Sequence, residues 1–423
     1  MDIKPIGKDK RTLGGMDYFL LWAGVAISLA EIWAGGFLAP MGFWLGFWAI
    51  ILGHVIGNSL MGLGGMIGSE YGIPSMVSVR PAFGIRGSNL AAVLNIIQLI
   101  GWASIMLIIG GRAGAMLGES LGGIWASRHF WIVVIGLGTL VWALYTGRTI
   151  WKVMQTAAVI GLLLVVVLMT WVSFKEFGGG IMMETPQKMP FMIGLDLVIA
   201  MPISWLPLVA DYSRFSEKTM SSFWNTWWGY FIVSCWMYLL GLMATLVTGD
   251  TDPGVMILRT MGSIGLALPA LIMIVFSTIT SDFPDIYSAT CSMLNISSKI
   301  SAKGLMWIAG SLSILVALVF PADQYENFLL LIGGMFVPLF GIVLTDYFLI
   351  RKRKLSLAGL YDTNGEYWYT RGVNMVALVA WGLGFVVFET IAIMKLSIGG
   401  SIPSMIIAGL CYYVPMQIRL KKE

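Results

Sequence analysis

The stretch IVFSTITSDFPDIYSATC, residues 274–291, carries the densest set of reactive side chains in this chain. Ser277, Thr280 and Ser281 recur at intervals of three and four residues, so one helical face presents three hydroxyls. Hydroxyl oxygens suit a hard cation, above all beside carbonyls from an unwound neighbour, and this is the composition of a sodium site. Asp282 and Asp285 follow at once, and a third acid, Glu31, lies in LLWAGVAISLAEIWAGGFLAPMG, residues 20–42. All three acids sit within apolar stretches. An ionisable group at membrane depth costs at least about 2.5 kcal/mol, so it marks a substrate or ion pathway. Trp102, in NIIQLIGWASIMLIIGG (95–111), offers a planar face to a flat ring, with Gln98 one turn and Asn95 two turns away.

These groups need elements to hold them. Hydrophobic residues make up 58% of the 423 and charged residues only 11%. A soluble protein carries about 25% charged residues, so the apolar surface here must face lipid. About twelve stretches approach the roughly 20 apolar residues needed to cross a bilayer. They are 16–38, 43–68, 89–118, 129–146, 152–174, 190–210, 221–248, 262–290, 303–320, 326–350, 371–394 and 400–418. The expected architecture is therefore an all-α polytopic membrane protein with one transmembrane domain over 1–423. The N-terminus lacks the apolar core and small-residue cleavage site of a signal peptide, so the first stretch stays as a span.

Charge fixes the expected orientation. With the N-terminus inside, only Arg112, Arg128, Lys175, Lys188, Arg259 and Lys395 fall in outer segments, and the other 20 of the 26 Lys and Arg residues are inner. The positive-inside rule then places both termini in the cytoplasm, in the plasma (cytoplasmic) membrane. Two inner segments are candidates for more than linkage. Residues 69–89 read as a short interfacial helix, and 351–372 carry a basic head suited to anionic lipid.

The first and sixth spans are the two whose helices should be interrupted. Gly35, Gly36 and Pro40 follow Glu31, while Pro202 and Pro207 bracket Ser204 and Trp205. Proline removes a donor and clashes with the preceding turn. Breaks at matching places in two halves point to an inverted-repeat transporter and to its site. Cys235, Cys291 and Cys411 read as packing residues, since their spacing fits neither a disulfide framework nor zinc. His54 reads as a helix–helix hydrogen-bonding residue and His129 as interfacial. Two remote histidines and dispersed cysteines give an enzyme neither nucleophile with base nor metal cluster. Nothing in the charge pattern supports nucleic-acid binding, and no obligate protein partner or cofactor is evident.

The chain resembles the nucleobase:cation symporter-1 family, which includes cytosine permeases. The resemblance is carried by IWAGG (32–36), RPAFGIRGS (80–88), GW (101–102), ADYSRF (210–215), STITSDFPDIYSA (277–289) and LTDYFLIRKR (344–353). AEIWAGG with QLIGW and SDFPDIYS is most similar to its thiamine-linked branch, the hydroxymethylpyrimidine transporters. The resemblance implies a LeuT-like fold: two inverted five-helix repeats, about 16–174 and 190–350, and two extra helices over 371–418. It implies sodium bound by carbonyls near Gly24 and Ile27 with Ser277, Thr280 and Ser281. It also implies a flat heterocycle held between Trp102 and the Ser204–Trp205 region. Asp282 stands where relatives place asparagine, and Glu31 replaces a small polar residue. Both changes fit an aminopyrimidine, whose donor–acceptor edge a carboxyl group can match. Its hydroxymethyl arm would meet Glu31, Gln98 or Ser204. The expected function is sodium-coupled symport of such a pyrimidine into the cytoplasm. Alternatives are a cytosine or other nucleobase permease, and a proton carried on Glu31 or Asp282 in place of sodium.

Overall fold

Apolar residues that recur along one helix face need a non-aqueous surface to face. On the second span Trp44, Trp48, Leu52 and Val55 point outward, and on the seventh Trp224, Trp228 and Ile232 do the same. Polar side chains such as His54, Asn58, Asn95 and Gln98 are fully buried. This inverted distribution is what a lipid solvent selects. The structure, a computed structural model, describes residues 3–145, 148–177, 189–296 and 300–421.

Among the described residues eleven helices are long and apolar enough to cross a membrane, or twelve when a bent pair counts as one span. The first span is that pair, α1 (Gly15–Ala26) and α2 (Leu29–Gly36); the second is α3 (Phe43–Tyr71). One-turn helices α4 (Ser75–Ser78) and α5 (Arg80–Phe83) lead to α6 (Ser88–Leu117), α7 (Arg128–Tyr145) and α8 (Arg148–Phe177). The sixth span is α9 (Phe191–Ile203) with α10 (Leu206–Ser213), and the seventh is α11 (Thr219–Thr248). A short α12 (Pro253–Gly262) precedes the eighth span, α13 (Ala267–Ser281) with α14 (Phe283–Ile296). Then come α15 (Ala302–Val319), α16 (Tyr325–Leu344, prolonged by a π-helical turn over Thr345–Ile350), α17 (Met375–Ile393) and α18 (Ser401–Leu420). The spans fall within a few residues of the expected ranges. The eighth differs most: it starts at Ala267 and runs on to Ile296.

Packing divides the spans into two groups. Spans one, two, six and seven pack on one another through α1, α2, α3, α9, α10 and α11. Spans three, four, eight and nine pack through α6, α7, α13, α14 and α15. Each group member has a counterpart five spans away in the same group, which is the signature of a five-plus-five repeat. The fifth span, α8, lies on α11 and α13, and α16 joins α9 to α17 and α18.

The first span breaks earlier than its glycines indicate. α1 ends at Ala26, Ile27 is non-helical (φ −74°, ψ 82°), and Ser28 caps α2 by accepting from the Ala30 amide. The two pieces meet at 59°. Gly35 and Gly36 instead stay helical and let α2 touch α11. A Cβ on Gly35 would fall 2.2 Å from the Tyr238 carbonyl oxygen, and one on Gly241 would fall 1.8 Å from that of Ile32. The sixth span does break at Ser204–Trp205, where Pro207 denies the Ile203 carbonyl its donor. Its two pieces still form one span, Phe191–Ser213, without the sharp bend of the first.

Four segments expected on the inner side meet on one face. Leu13 pairs in parallel with Ser216, Arg11 donates to the Ser69 carbonyl, Arg80 to that of Leu360, and Tyr361 to that of Ile3. Residues 75–83 are buried in this junction rather than lying along the lipid interface. The basic head of 351–372 is partly consumed internally as well. Arg351 pairs with Asp346, and Arg353 pairs with Glu70, whose hydrogen bond holds its guanidinium above the ordinary range.

Gly241→Ala should lower the thermal unfolding midpoint of the purified protein by an amount equivalent to about 1–3 kcal/mol, the usual cost of overpacking. Gly382→Ala, where an added Cβ meets nothing within 4 Å, should leave it unchanged or slightly raised. Equal midpoints for the two variants would disprove the close α2–α11 crossing.

Candidate functional site

A break inside a membrane helix releases backbone carbonyls that lipid cannot satisfy. At the sixth-span break the Ser204 carbonyl loses its usual donor, because the Leu208 amide turns to Trp205 instead, at 2.9 Å. Gln98 of α6 replaces it, its Nε2 lying 2.8 Å from the Ser204 oxygen. The same nitrogen donates to Asn95, which donates in turn to Ser292 of α14, both at 2.8 Å. One polar line thus crosses from the second group to the break in the first. Trp102 stands one turn beyond Gln98 on the same face of α6, and Trp205 directly follows Ser204. Both indoles are therefore anchored beside a single inter-group hydrogen bond. Trp102 meets Tyr325 and Phe328 edge-on, while Trp205 packs edge-on against Trp22 and beside Leu99, Leu208 and Ile286.

Trp205 is also tied to Glu31. Its Nε1 donates to the Tyr230 hydroxyl (3.0 Å), which donates to Glu31 Oε1 (2.7 Å). Tyr325 donates to the Ala30 carbonyl at 3.0 Å, beside the same acid. Neither tyrosine carried a mark in the sequence; their positions inside apolar spans are the only signal that could have found them.

The buried acids differ sharply in how they are served. Asp196 accepts from the Gly400 and Ser401 amides and so caps α18. Asp346 accepts from Tyr412 and Arg351, and Asp211 from the Ser75 amide. Asp282 is fully buried at the α13–α14 junction, yet both its carboxyl oxygens lack a partner. Gln98 Oε1 and Glu31 Oε2 are likewise buried and unpartnered. Buried polar groups are nearly always paired, so the oxygens of Asp282 and Gln98 Oε1 are candidates to meet a ligand. Asp285, half-buried, stands one turn from Asp282 in the first turn of α14, close enough for the two acids to interact.

The two halves of the ion set lie on different groups. On α13, Ser277 donates to the Ile274 carbonyl and Thr280 to that of Ser277, leaving their oxygen lone pairs open. Pro284 has no amide hydrogen for the Thr280 carbonyl. The side chain of Ser281 lies outside the described residues. On α1, the Gly24 carbonyl takes the Ile27 amide at 3.3 Å, and Ile27 begins the break. α1 and α13 do not pack extensively on each other. Two apolar grooves on the outer surface, of about 310 and 670 Å³, are lined by none of the candidate residues. His54, as the sequence indicated, bonds helix to helix, through Ser234 of α11.

Asp196→Ala should destabilise the protein by about 2–3 kcal/mol, since it loses charge-assisted bonds to two amides. Asp282→Asn removes no bond and should leave the unfolding midpoint at or above that of the wild type. Equal destabilisation by both would show that Asp282 is a structural acid.

Comparison with known proteins identifies the family and the fold. Residues 5–413 match the family described as permease for cytosine/purines, uracil, thiamine, allantoin. The chain is 27% identical to the allantoin permease of Bacillus subtilis (strain 168), over 90% of this chain and 85% of that one. It is 25% identical to the cytosine permease of Escherichia coli (strain K12), over 76% and 72%. Two solved structures of Mhp1, a nucleobase-cation-symport-1 family transporter, share the fold at 23% identity. The inward-facing form gives a TM-score of 0.87 over 99% of this chain and 93% of that one. The closed form with bromovinylhydantoin bound gives 0.84 over 99% and 95%.

Proposed function

The chain belongs to the family of permeases for cytosine and purines, uracil, thiamine and allantoin, and we propose that within it this protein is a sodium-coupled symporter of a pyrimidine, hydroxymethylpyrimidine above all. The single observation that carries the reading is the Gln98–Ser204 hydrogen bond, which joins the helix that bears Trp102 to the break that bears Trp205 and leaves a buried amide oxygen unpartnered. Two indoles offer a flat ring its stacking faces, worth about 0.5–1.5 kcal/mol for each aromatic pair beyond burial. Asp282 supplies the two oxygens that an aminopyrimidine edge can engage, in a site dry enough to make such bonds strong. Asp285 acts on Asp282 as its neighbour, and Ser204 and Gln98 face the substituent. Glu31 acts on the ring through Tyr230 and Trp205.

Sodium binds first in this scheme. The carbonyls near Gly24 and Ile27 and the hydroxyls of Ser277, Thr280 and Ser281 belong to opposite groups, so a cation between them draws α1 onto α13. The pyrimidine then enters the completed pocket, and one four-span group rocks against the other to release both inside. The excess of Lys and Arg on the face that holds the N-terminus supports cytoplasmic termini and inward transport. Sodium and substrate must raise each other's affinity by the same factor. The cytosine and allantoin permeases among its relatives support a second reading, a permease for cytosine or another nucleobase using the same residues.

Uptake into proteoliposomes should require an inward sodium gradient, with hydroxymethylpyrimidine competing more strongly than cytosine, thiamine or allantoin. Asp282→Asn and Trp205→Leu should each cut uptake at least tenfold, a loss of about 1.4 kcal/mol or more. Sodium-independent uptake would remove the ion assignment. Preference for cytosine would select the second reading, and full activity of Asp282→Asn would refute the carboxyl–pyrimidine contact.

A further inference from the structure

Beyond Tyr230, a polar line from Glu31 runs through residues of α11 and α3 that the symport scheme leaves unused. On α11, Tyr230, Ser234 and Tyr238 recur every fourth residue and share one face. That face meets Glu31 on α2 and His54 on α3. His54 Nδ1 lies 2.8 Å from the Ile50 carbonyl, which can only accept, so Nδ1 carries the hydrogen. Nε2, 2.5 Å from Ser234 Oγ, is then the acceptor of a neutral ring, and the serine hydrogen points to it. This orientation leaves the Ser234 oxygen open to a donor. Ser234 also lies beside the Glu31 carboxyl. Tyr230 cannot serve the unpartnered Oε2, because its one hydrogen is committed to Oε1.

An ionised Glu31 would bury a negative charge steadied by Tyr230, and by Ser234 only if that hydroxyl turned its hydrogen away from His54. The other titratable groups around the relay do not offset it. Tyr238 and Cys235 of α11 and Tyr325 of α16 cannot carry a positive charge, and Tyr325 is turned to the Ala30 carbonyl. Arg112 of α6 lies over the Trp33 ring and pairs with Asp252. Arg259 of α12 donates to the Thr248 carbonyl, while Asp196 of α9 and Asp211 of α10 are bound to backbone amides. A proton on Oε2 satisfies every atom at once: Oε2–H donates to Ser234, Ser234 to His54, and His54 to Ile50. Burying a charge without partners is far costlier than burying a hydrogen-bonded neutral acid.

We infer that Glu31, Ser234 and His54 form a proton-binding site inside the first helix group, separate from the hydroxyl set on α13. The proton resides on Glu31 Oε2. It can leave by passing to Ser234 Oγ as the serine hydrogen passes to His54 Nε2. One O–H bond breaks at the acid, one is exchanged at the serine and an N–H bond forms on the imidazole, so a carboxylate and an imidazolium replace two neutral groups with no change in total charge. Because Trp205 holds Tyr230 and Tyr230 holds Glu31, the wall of the proposed pyrimidine pocket is set by this proton. That link, unlike the site itself, rests on the symport reading. Reciprocity then requires substrate affinity to follow the protonation of Glu31.

Infrared spectra of the ligand-free, full-length protein test the site without any substrate. A carboxylic-acid carbonyl band at neutral pH should lose one component in Glu31→Gln, and that component should shift in Ser234→Ala, where the acceptor is gone. A spectrum unaltered by Glu31→Gln would overturn the site, and a band indifferent to Ser234→Ala would overturn the relay. The link is tested by binding hydroxymethylpyrimidine and cytosine at saturating sodium across a pH series. Wild-type affinity should fall toward alkaline pH as Glu31 loses its proton, by at most about tenfold per pH unit for one linked proton, and Glu31→Gln should flatten the profile. An unchanged pH profile in Glu31→Gln would sink the link. If neither pyrimidine binds the wild type, the symport reading fails, while the infrared result still decides the proton site.

Discussion

Backbone groups released inside a bilayer must find partners within the protein, and the whole arrangement follows from that constraint. Each interrupted span hands carbonyls or amides to a side chain, at the break itself or on another element. Ser28 caps the second half of the first span, and Tyr325 reaches the Ala30 carbonyl from the tenth. Gln98 takes the Ser204 carbonyl from the third. These bonds stitch the broken helices to their neighbours. The site is therefore a by-product of repair: the residues that mend the breaks are those placed to meet a ligand.

Close helix contact and helix interruption use the same small residues for opposite ends. Gly35 and Gly241 bring α2 and α11 to touching distance, so these two elements behave as one body. The flexible points of the first group lie elsewhere, at Ile27–Ser28 and Ser204–Trp205. A bundle with rigid crossings and localised breaks can tilt as a unit while changing shape only at its site.

Much of this was legible in the chain itself. Hydropathy located the spans, because lipid imposes a length that sequence must meet. Paired prolines located the sixth-span break, because proline acts locally. The first-span break was misplaced, since a glycine in a membrane helix marks either a break or a close neighbour and only the neighbour decides. The same limit applies to the acids. Asp196, Asp211 and Asp346 lie in apolar spans as Asp282 does, but they have partners that come from residues far along the chain. Sequence records the cost of a buried carboxylate and not what offsets it. Residues 75–83 carry an amphipathic pattern that reads as interfacial, and the partner that buries them, 351–372, is nearly three hundred positions away.

Asp196 deserves a last consequence. It lies on the sixth span, and its carboxylate grips the start of the final helix through two backbone amides. The outer face of that helix is lined by Ile406, Leu410 and Val414. A tilt of the sixth span would therefore pull on a helix whose far side displaces annular lipid, which would tie such a motion to the fluidity of the surrounding bilayer.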